Sequence, residues 1–181
     1  MTGGITIVTG SPGAGKTTLS RHAAEAHPRG VHLVSDVFYT FPAHPISPVL
    51  PESREQNAAV IAAVTRAAAA FASRGYAVFL DGIVGPWFLP VVAAELASTA
   101  IPVEYVVLRV SLAEAVRRAT TRPQPGPEAV VRHMHAAFED LGPYASHVLD
   151  TTELGVGDAA AELARRRAAG VFALDLTRVR A

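Results

Sequence analysis

The chain has 181 residues, enough for one compact core and short for two, so a single domain over residues 1–181 is expected. Half of the residues are apolar, 18% are charged, and sixteen basic side chains balance sixteen acidic ones to a formal charge of zero. That balance argues against disorder and against long-range attraction to nucleic acid or anionic membrane, while the absence of cysteine excludes disulfides, thiolate catalysis and thiolate metal sites.

The N-terminal MTGGITIVTG has no basic leader and too short an apolar run for a signal peptide. The longest uncharged apolar stretch, Gly82 to Ala94, contains Pro86 and Pro90 and falls short of the ~18 residues that suggest a membrane span. A cytoplasmic protein without a membrane partner is expected.

The first predicted strand, Ile5 to Thr9, runs into Gly10-Ser11-Pro12-Gly13-Ala14-Gly15-Lys16-Thr17, which matches G-x-x-x-x-G-K-[ST] between a strand and a helix. Glycines let backbone amides converge on phosphate oxygens, and the helix N-terminus adds partial positive charge. Gly10 to Thr18 are therefore the expected nucleotide site, with Lys16 on the β and γ phosphates of ATP and Thr17 on Mg2+. Lys16 is the only lysine, the other fifteen of the sixteen Lys and Arg residues being arginine. Indifferent placement would put it at the motif's lysine about 1 time in 16, whereas the phosphate-binding role requires it there.

A second strand, Val31 to Ser35, leads to Asp36, at the strand end that faces the ligand crevice of a parallel sheet. A carboxylate there can accept the proton of an acceptor hydroxyl or hold magnesium through water. The proline-bearing segment Phe38 to Pro51 follows, and Ser53 to Gln56 fits a capping box that opens a helix reaching about Ser73, closed by Gly75. Residues 36–58 are the expected acceptor side, where Phe38, Arg54 and Asn57 are candidate substrate contacts. The third strand, Tyr76 to Leu80, ends in Asp81, a candidate for magnesium or the acceptor, and Trp87 lies beyond it, where it can stack on a ring.

After a fourth strand, Val103 to Val110, a second capping box at Ser111 to Glu114 opens a helix carrying Arg117, Arg118 and Arg122. Arg118 and Arg122 lie four apart on one face before the segment Pro123 to Pro127, so residues 117–128 form an expected lid. Its arginines can clamp the transferring phosphoryl group or stack on adenine, with Arg117 turned roughly 100° away. His133 and His135 are expected on different sides of a helix, a fifth strand at His147 to Leu149, and Arg165 to Arg167 at a solvated helix end. Strands alternating with helices imply an α/β fold with a parallel sheet.

With the P-loop, Asp36, Asp81 and the lid arginines in that order, the chain resembles the small P-loop kinases of the shikimate kinase, gluconate kinase and chloramphenicol phosphotransferase kind. It is similar above all to bacterial AAA-family ATPases or zeta-toxin-like kinases, sharing Leu50-Pro51-Glu52-Ser53, Gln56-Asn57, Asp81 to Phe88 and Asp150-Thr151-Thr152. The resemblance covers about residues 5–163. It implies a five-stranded parallel sheet flanked by helices and transfer of the γ phosphoryl group of ATP to a hydroxyl of a sugar, nucleoside or antibiotic-like molecule, by a monomer or homodimer. It also implies catalytic roles for Lys16, Asp36, Arg118 and Arg122. Shikimate kinases pair two acids where this chain has Asp36 followed by Val37, so shikimate is not the expected acceptor. The alternatives are a regulatory ATPase without a small-molecule acceptor and a zeta-toxin-like nucleotide-sugar kinase.

Overall fold

Residues 3–121 and 126–179 are described by the structure, a computed structural model. Five strands, β1 (Gly4–Thr9), β2 (Gly30–Val34), β3 (Ala77–Asp81), β4 (Val103–Arg109) and β5 (Val148–Asp150), pair in parallel in the order β2-β3-β1-β4-β5. The register sets Ile5 opposite Val78 and Val103, and Val8 opposite Asp81 and Val106. Alternate side chains leave opposite faces, so a sheet covered on both sides needs apolar residues at successive positions. Ile5, Ile7, Leu80 and Tyr105 accordingly join one buried cluster with α2 (Arg54–Ala72) and α3 (Leu89–Leu96). Val8, Val106, Leu108 and Leu149 join a second with Leu19 of α1 (Lys16–Glu25) and Leu163 of α6 (Val156–Ala168). This is the five-stranded parallel α/β architecture expected from the sequence.

The long helix α2 buries Val60, Ile61, Val64, Ala68 and Ala72 at helical spacing and stops where Gly75 takes φ +84°, a left-handed conformation that favours glycine. Beyond β4, α4 (Leu112–Thr121) and α5 (Glu128–Ala137) meet through Ala115, Ala119 and Val131. After α6 the chain returns to β4: Tyr105 N–H donates to Phe172 O and Leu174 N–H to Val103 O, each at 2.9 Å. Phe172 is fully buried, and this return covers the part of the β4 edge that lies ahead of its pairing with β5.

Three local expectations are corrected. Ser53 and Gln56 form no capping box. Ser53 Oγ donates backwards to Leu50 O and Pro48 O, and the Gln56 amide pairs with both backbone groups of Ile46, at 2.8 and 2.7 Å. Both side chains hold the preceding segment, whose backbone has no strand to pair with. The second box is half formed: Ser111 Oγ accepts from Glu114 N–H at 3.3 Å, while the Glu114 carboxylate binds Arg117 and Arg118. Nor are Arg166 and Arg167 a solvated helix end. Arg166 donates to Val148 O and lies over Phe172, and Arg167 binds Glu104 and lies over Phe79. Among the described residues, no helix is long and apolar enough to cross a membrane.

Candidate active site

Three glycines of the loop between β1 and α1 take positive φ: Gly10 at 139°, Gly13 at 84° and Gly15 at 93°. A Cβ on Gly10 would lie 2.3 Å from Leu108 O, and one on Gly13 2.2 Å from Ala115 O, so the loop is pressed between the end of β4 and α4. Gly15 sits instead under open space, with Arg118 Nη1 the nearest atom at 3.7 Å. Lys16 Nζ donates to Ser11 O at 3.0 Å and so folds back across the loop. The α1 N-terminus has no side-chain cap and no acid in its first turn. A helix N-terminus of this kind carries partial positive charge, which makes it suited to an anion.

Three cavities surround this loop. The middle one, about 310 Å³, is lined by Gly13, Lys16, Thr17, Asp81 and, at its borders, Asp36 and Arg118. On the Arg118 side lies a cavity of about 370 Å³ walled by Leu19, Leu108, Thr151, Leu154 and Val156, with Arg118 and Gly15 shared. On the Asp36 side lies one of about 570 Å³, with Asp36 and Ile83 shared. A phosphate-sized cradle thus has an apolar chamber at each end and one charged side chain at each boundary.

Arg118 reaches its boundary because Gly13 lets α4 approach the loop. Glu114, one turn earlier, accepts from Arg118 Nε at 2.5 Å and from Arg117 Nη2 at 2.6 Å. Those bonds, Arg117 first and then Arg118, pull the Glu114 carboxyl down to about 2. At the other boundary, a Cβ on Gly82 would come 1.9 Å from Ser35 Oγ, so glycine there allows the ends of β2 and β3 to close up. Asp36 and Asp81 therefore face one cavity. Asp81 is buried and meets His32 Nε2 through Oδ2 at 3.2 Å, a partner on the neighbouring strand. Thr17, Asp36 and Asp81 present oxygen donors alone, a set that suits magnesium.

The segment after β3 is held at both backbone groups of Val84. Val84 N–H donates to Thr9 Oγ1 at 2.8 Å, and Val84 O accepts from the Tyr105 hydroxyl at 2.9 Å, all within the core. Burial pushes the Tyr105 phenol far above its ordinary range. From this anchored turn Trp87 lies across Gly85, where a Cβ would come within 2.3 Å of the indole, and packs on Phe138 at 5.5 Å. Arg109 binds Phe138 O at 2.9 Å, which ties the end of α5 to the sheet. Trp87, Phe88, Tyr39, Val49 and Met134 wall the larger cavity.

A family model described as AAA domain (AAA_33) matches residues 5–141. The chain belongs to this AAA domain family. No curated protein sequence matches it. Among solved structures it is similar to an unliganded sugar kinase from Janibacter sp. HTCC2649, at 18% identity and TM-score 0.69 over 94% of this chain and 98% of that one. It is also similar to shikimate kinase from Acinetobacter baumannii in complex with shikimate, at 19% identity and TM-score 0.66 over 93% and 94%. A third is the tunicamycin resistance protein of Deinococcus radiodurans, at 17% identity and TM-score 0.65 over 96% and 99%. The fold of this AAA domain is that of the small P-loop kinases.

The structure brings most of the expected site residues together. Pro12, Gly13, Gly15, Lys16, Thr17, Thr18, Asp36, Asp81 and Arg118 share the phosphate-sized cavity, while Gly10, Ser11 and Ala14 complete the loop. Asn57 and Trp87 line the larger cavity, but Asn57 Nδ2 is spent on Pro48 O and Ser53 Oγ, both at 2.9 Å. Phe38 packs on Phe41 and the core, and Arg54 is exposed on the first turn of α2; neither lines the cavity. Arg122 lies outside the described residues. His133 faces the larger cavity and His135 turns to Val110 O, on different sides of α5 as expected. Sequence reasoning missed His32, Met134 and the chamber wall around Leu154. The pairing of β2 with β3 is the only route to His32. Thr151 of the Asp150-Thr151-Thr152 stretch lines that chamber, a signal the sequence carried without a place for it.

Proposed function

We propose that this AAA domain is an ATP- and magnesium-dependent kinase that moves the γ phosphoryl group onto a hydroxyl of a small molecule. The observation that carries this reading is Asp36, which borders both the phosphate-sized cavity and the larger chamber. A group placed there can serve a nucleophile on one side and a phosphate on the other.

In this reading adenine occupies the chamber beside Arg118 and Leu154, and the phosphates lie on the loop amides and Lys16. The acceptor oxygen bonds to the γ phosphorus as the bond from that phosphorus to the β–γ bridging oxygen breaks. The acceptor's proton passes to the Asp36 carboxylate. Lys16 and Arg118 neutralise charge on the phosphoryl group, and positioning with electrostatic stabilisation supplies most of the rate in such transfers. Thr17 and Asp81 would hold magnesium, which would supply further charge neutralisation to the phosphates.

The test is ADP production with a panel of alcohols, sugars and nucleosides as acceptors. Acceptor-dependent ADP release that Lys16→Ala abolishes is the expected outcome. Release of ADP that no acceptor stimulates would replace this reading with that of a regulatory ATPase.

A further inference from the structure

We propose that the acceptor is an uncharged, ring-bearing alcohol held by its apolar face, and neither a polyol nor an acid. The inference rests on the kinase reading only in naming this molecule as the recipient of the phosphoryl group.

The chamber beyond Asp36 has a volume of about 570 Å³, the size of a pocket for a drug-sized ligand. Its walls are three aromatic rings, Tyr39, Trp87 and Phe88, with Ile83, Val130 and Met134. Such walls contribute to affinity by removing apolar area from water and by ring contacts, both of which need a matching apolar face on the ligand.

The polar groups point the same way. A polyol is bound by donors and acceptors that replace its water, and Asn57 has no accessible one to offer. Both hydrogens of its amide nitrogen are engaged with Pro48 and Ser53, and its Oδ1 is sealed from solvent. Pro48 O can only accept, which fixes the orientation of the amide. The remaining polar groups on the wall are those of Asp36, Tyr39 and His133 and the indole N–H of Trp87.

Charge excludes the acid. Asp36 is the carboxylate on the wall, and among the described residues no lysine or arginine lines the chamber. Arg132, the cation nearest in sequence to a wall residue, pairs with Glu128, and Arg54 is exposed outside the chamber. Burial and then the charge of Asp36 push the Tyr39 phenol up to about 12, so the same surroundings that disfavour a phenolate there disfavour a ligand anion. The apolar surface also continues outward. Phe41 is 68% exposed, Val49 55% and Trp87 46%, on two of the segments that build the walls, and exposed apolar residues grouped in this way mark binding sites.

The test uses the intact protein without ATP, so that it reads binding and not transfer. Trp87 is the only tryptophan, and its fluorescence reports directly on the chamber. The probes are para-tert-butylbenzyl alcohol, its acidic counterpart para-hydroxymethylbenzoate, and sorbitol. The neutral probe is expected to change the fluorescence saturably and to bind at least about tenfold tighter than the benzoate, with sorbitol silent. By calorimetry, Trp87→Ala should weaken the neutral probe about tenfold while Trp87→Phe retains it. Equal or tighter binding of the benzoate or sorbitol, or no saturable binding of the neutral probe, overturns the proposal. Selective binding with no acceptor-dependent ADP would sink the kinase reading and leave the chamber's selectivity standing. ADP release driven by polyols or acids, with aryl alcohols inert, would do the reverse.

Discussion

Lys16 and Tyr105 show two ways in which a single side chain sets this site. Lys16 was legible because its motif is local: every residue that defines the turn lies within eight positions of Gly10. The reason for Gly13 was not, because the atom that a Cβ would strike, Ala115 O, belongs to a helix far along the chain. Tyr105 was hidden for a similar reason. In the sequence it is one more aromatic in a strand, yet its hydroxyl is the partner of Val84 O inside the core. Tyr105→Phe removes that donor and leaves a buried carbonyl unpaired, which costs about 1–3 kcal/mol. Urea unfolding should show that loss. Unchanged stability would mean that the turn bearing Trp87 is held by other contacts.

At the level of elements, α4 and α5 carry what the motifs only outlined. Arg118 of α4 lies beside the loop, while α5 supplies the chamber wall through Val130, His133 and Met134, and their spacing in the sequence reads as an ordinary amphipathic helix. The Ser53 and Gln56 pattern misled because a serine and a glutamine three apart satisfy a capping box on paper. Here the irregular segment before α2 has unpaired backbone groups that draw on the same side chains. On α4, Glu114 joins Arg117 and Arg118 in one cluster. Its lowered value, from 4.5 to about 2, means that the cluster is present above glutamate's ordinary range and lost as pH falls through about 2. Glu114 should therefore stay ionised across the physiological range and contribute no acid limb to a pH–rate profile. The carboxyl carbon of Glu114, followed by NMR through an acid titration, should move near pH 2; movement near 4.5 would show that the arginines do not hold it.

Across the whole molecule, the strand order sets the site. β1 lies at the centre of the sheet with β3 and β4 as neighbours, so its phosphate loop opens between the end of β3, with Asp81, and the end of β4, against Gly10. β2 pairs with β3 on the outside and brings Asp36 up beside Asp81. The parallel sheet was legible because its strands are apolar at successive positions, as burial on both faces requires. The return of the chain past Phe172 was not, since the short run Val171 to Leu174 has neither the length nor the pattern of a strand and pairs with β4 through a single bridge. In the proposed kinase, Asp36 joins the phosphate cradle to the acceptor chamber and serves the acceptor hydroxyl. Asp36→Asn keeps the size and polarity of the side chain but removes its charge and basicity, so it separates that role from nucleotide binding. The most direct measurement is the rate of acceptor-dependent ADP formation by this variant together with its ATP affinity. A rate lower by orders of magnitude at similar affinity is expected; transfer at the wild-type rate would show that Asp36 does not serve the acceptor hydroxyl.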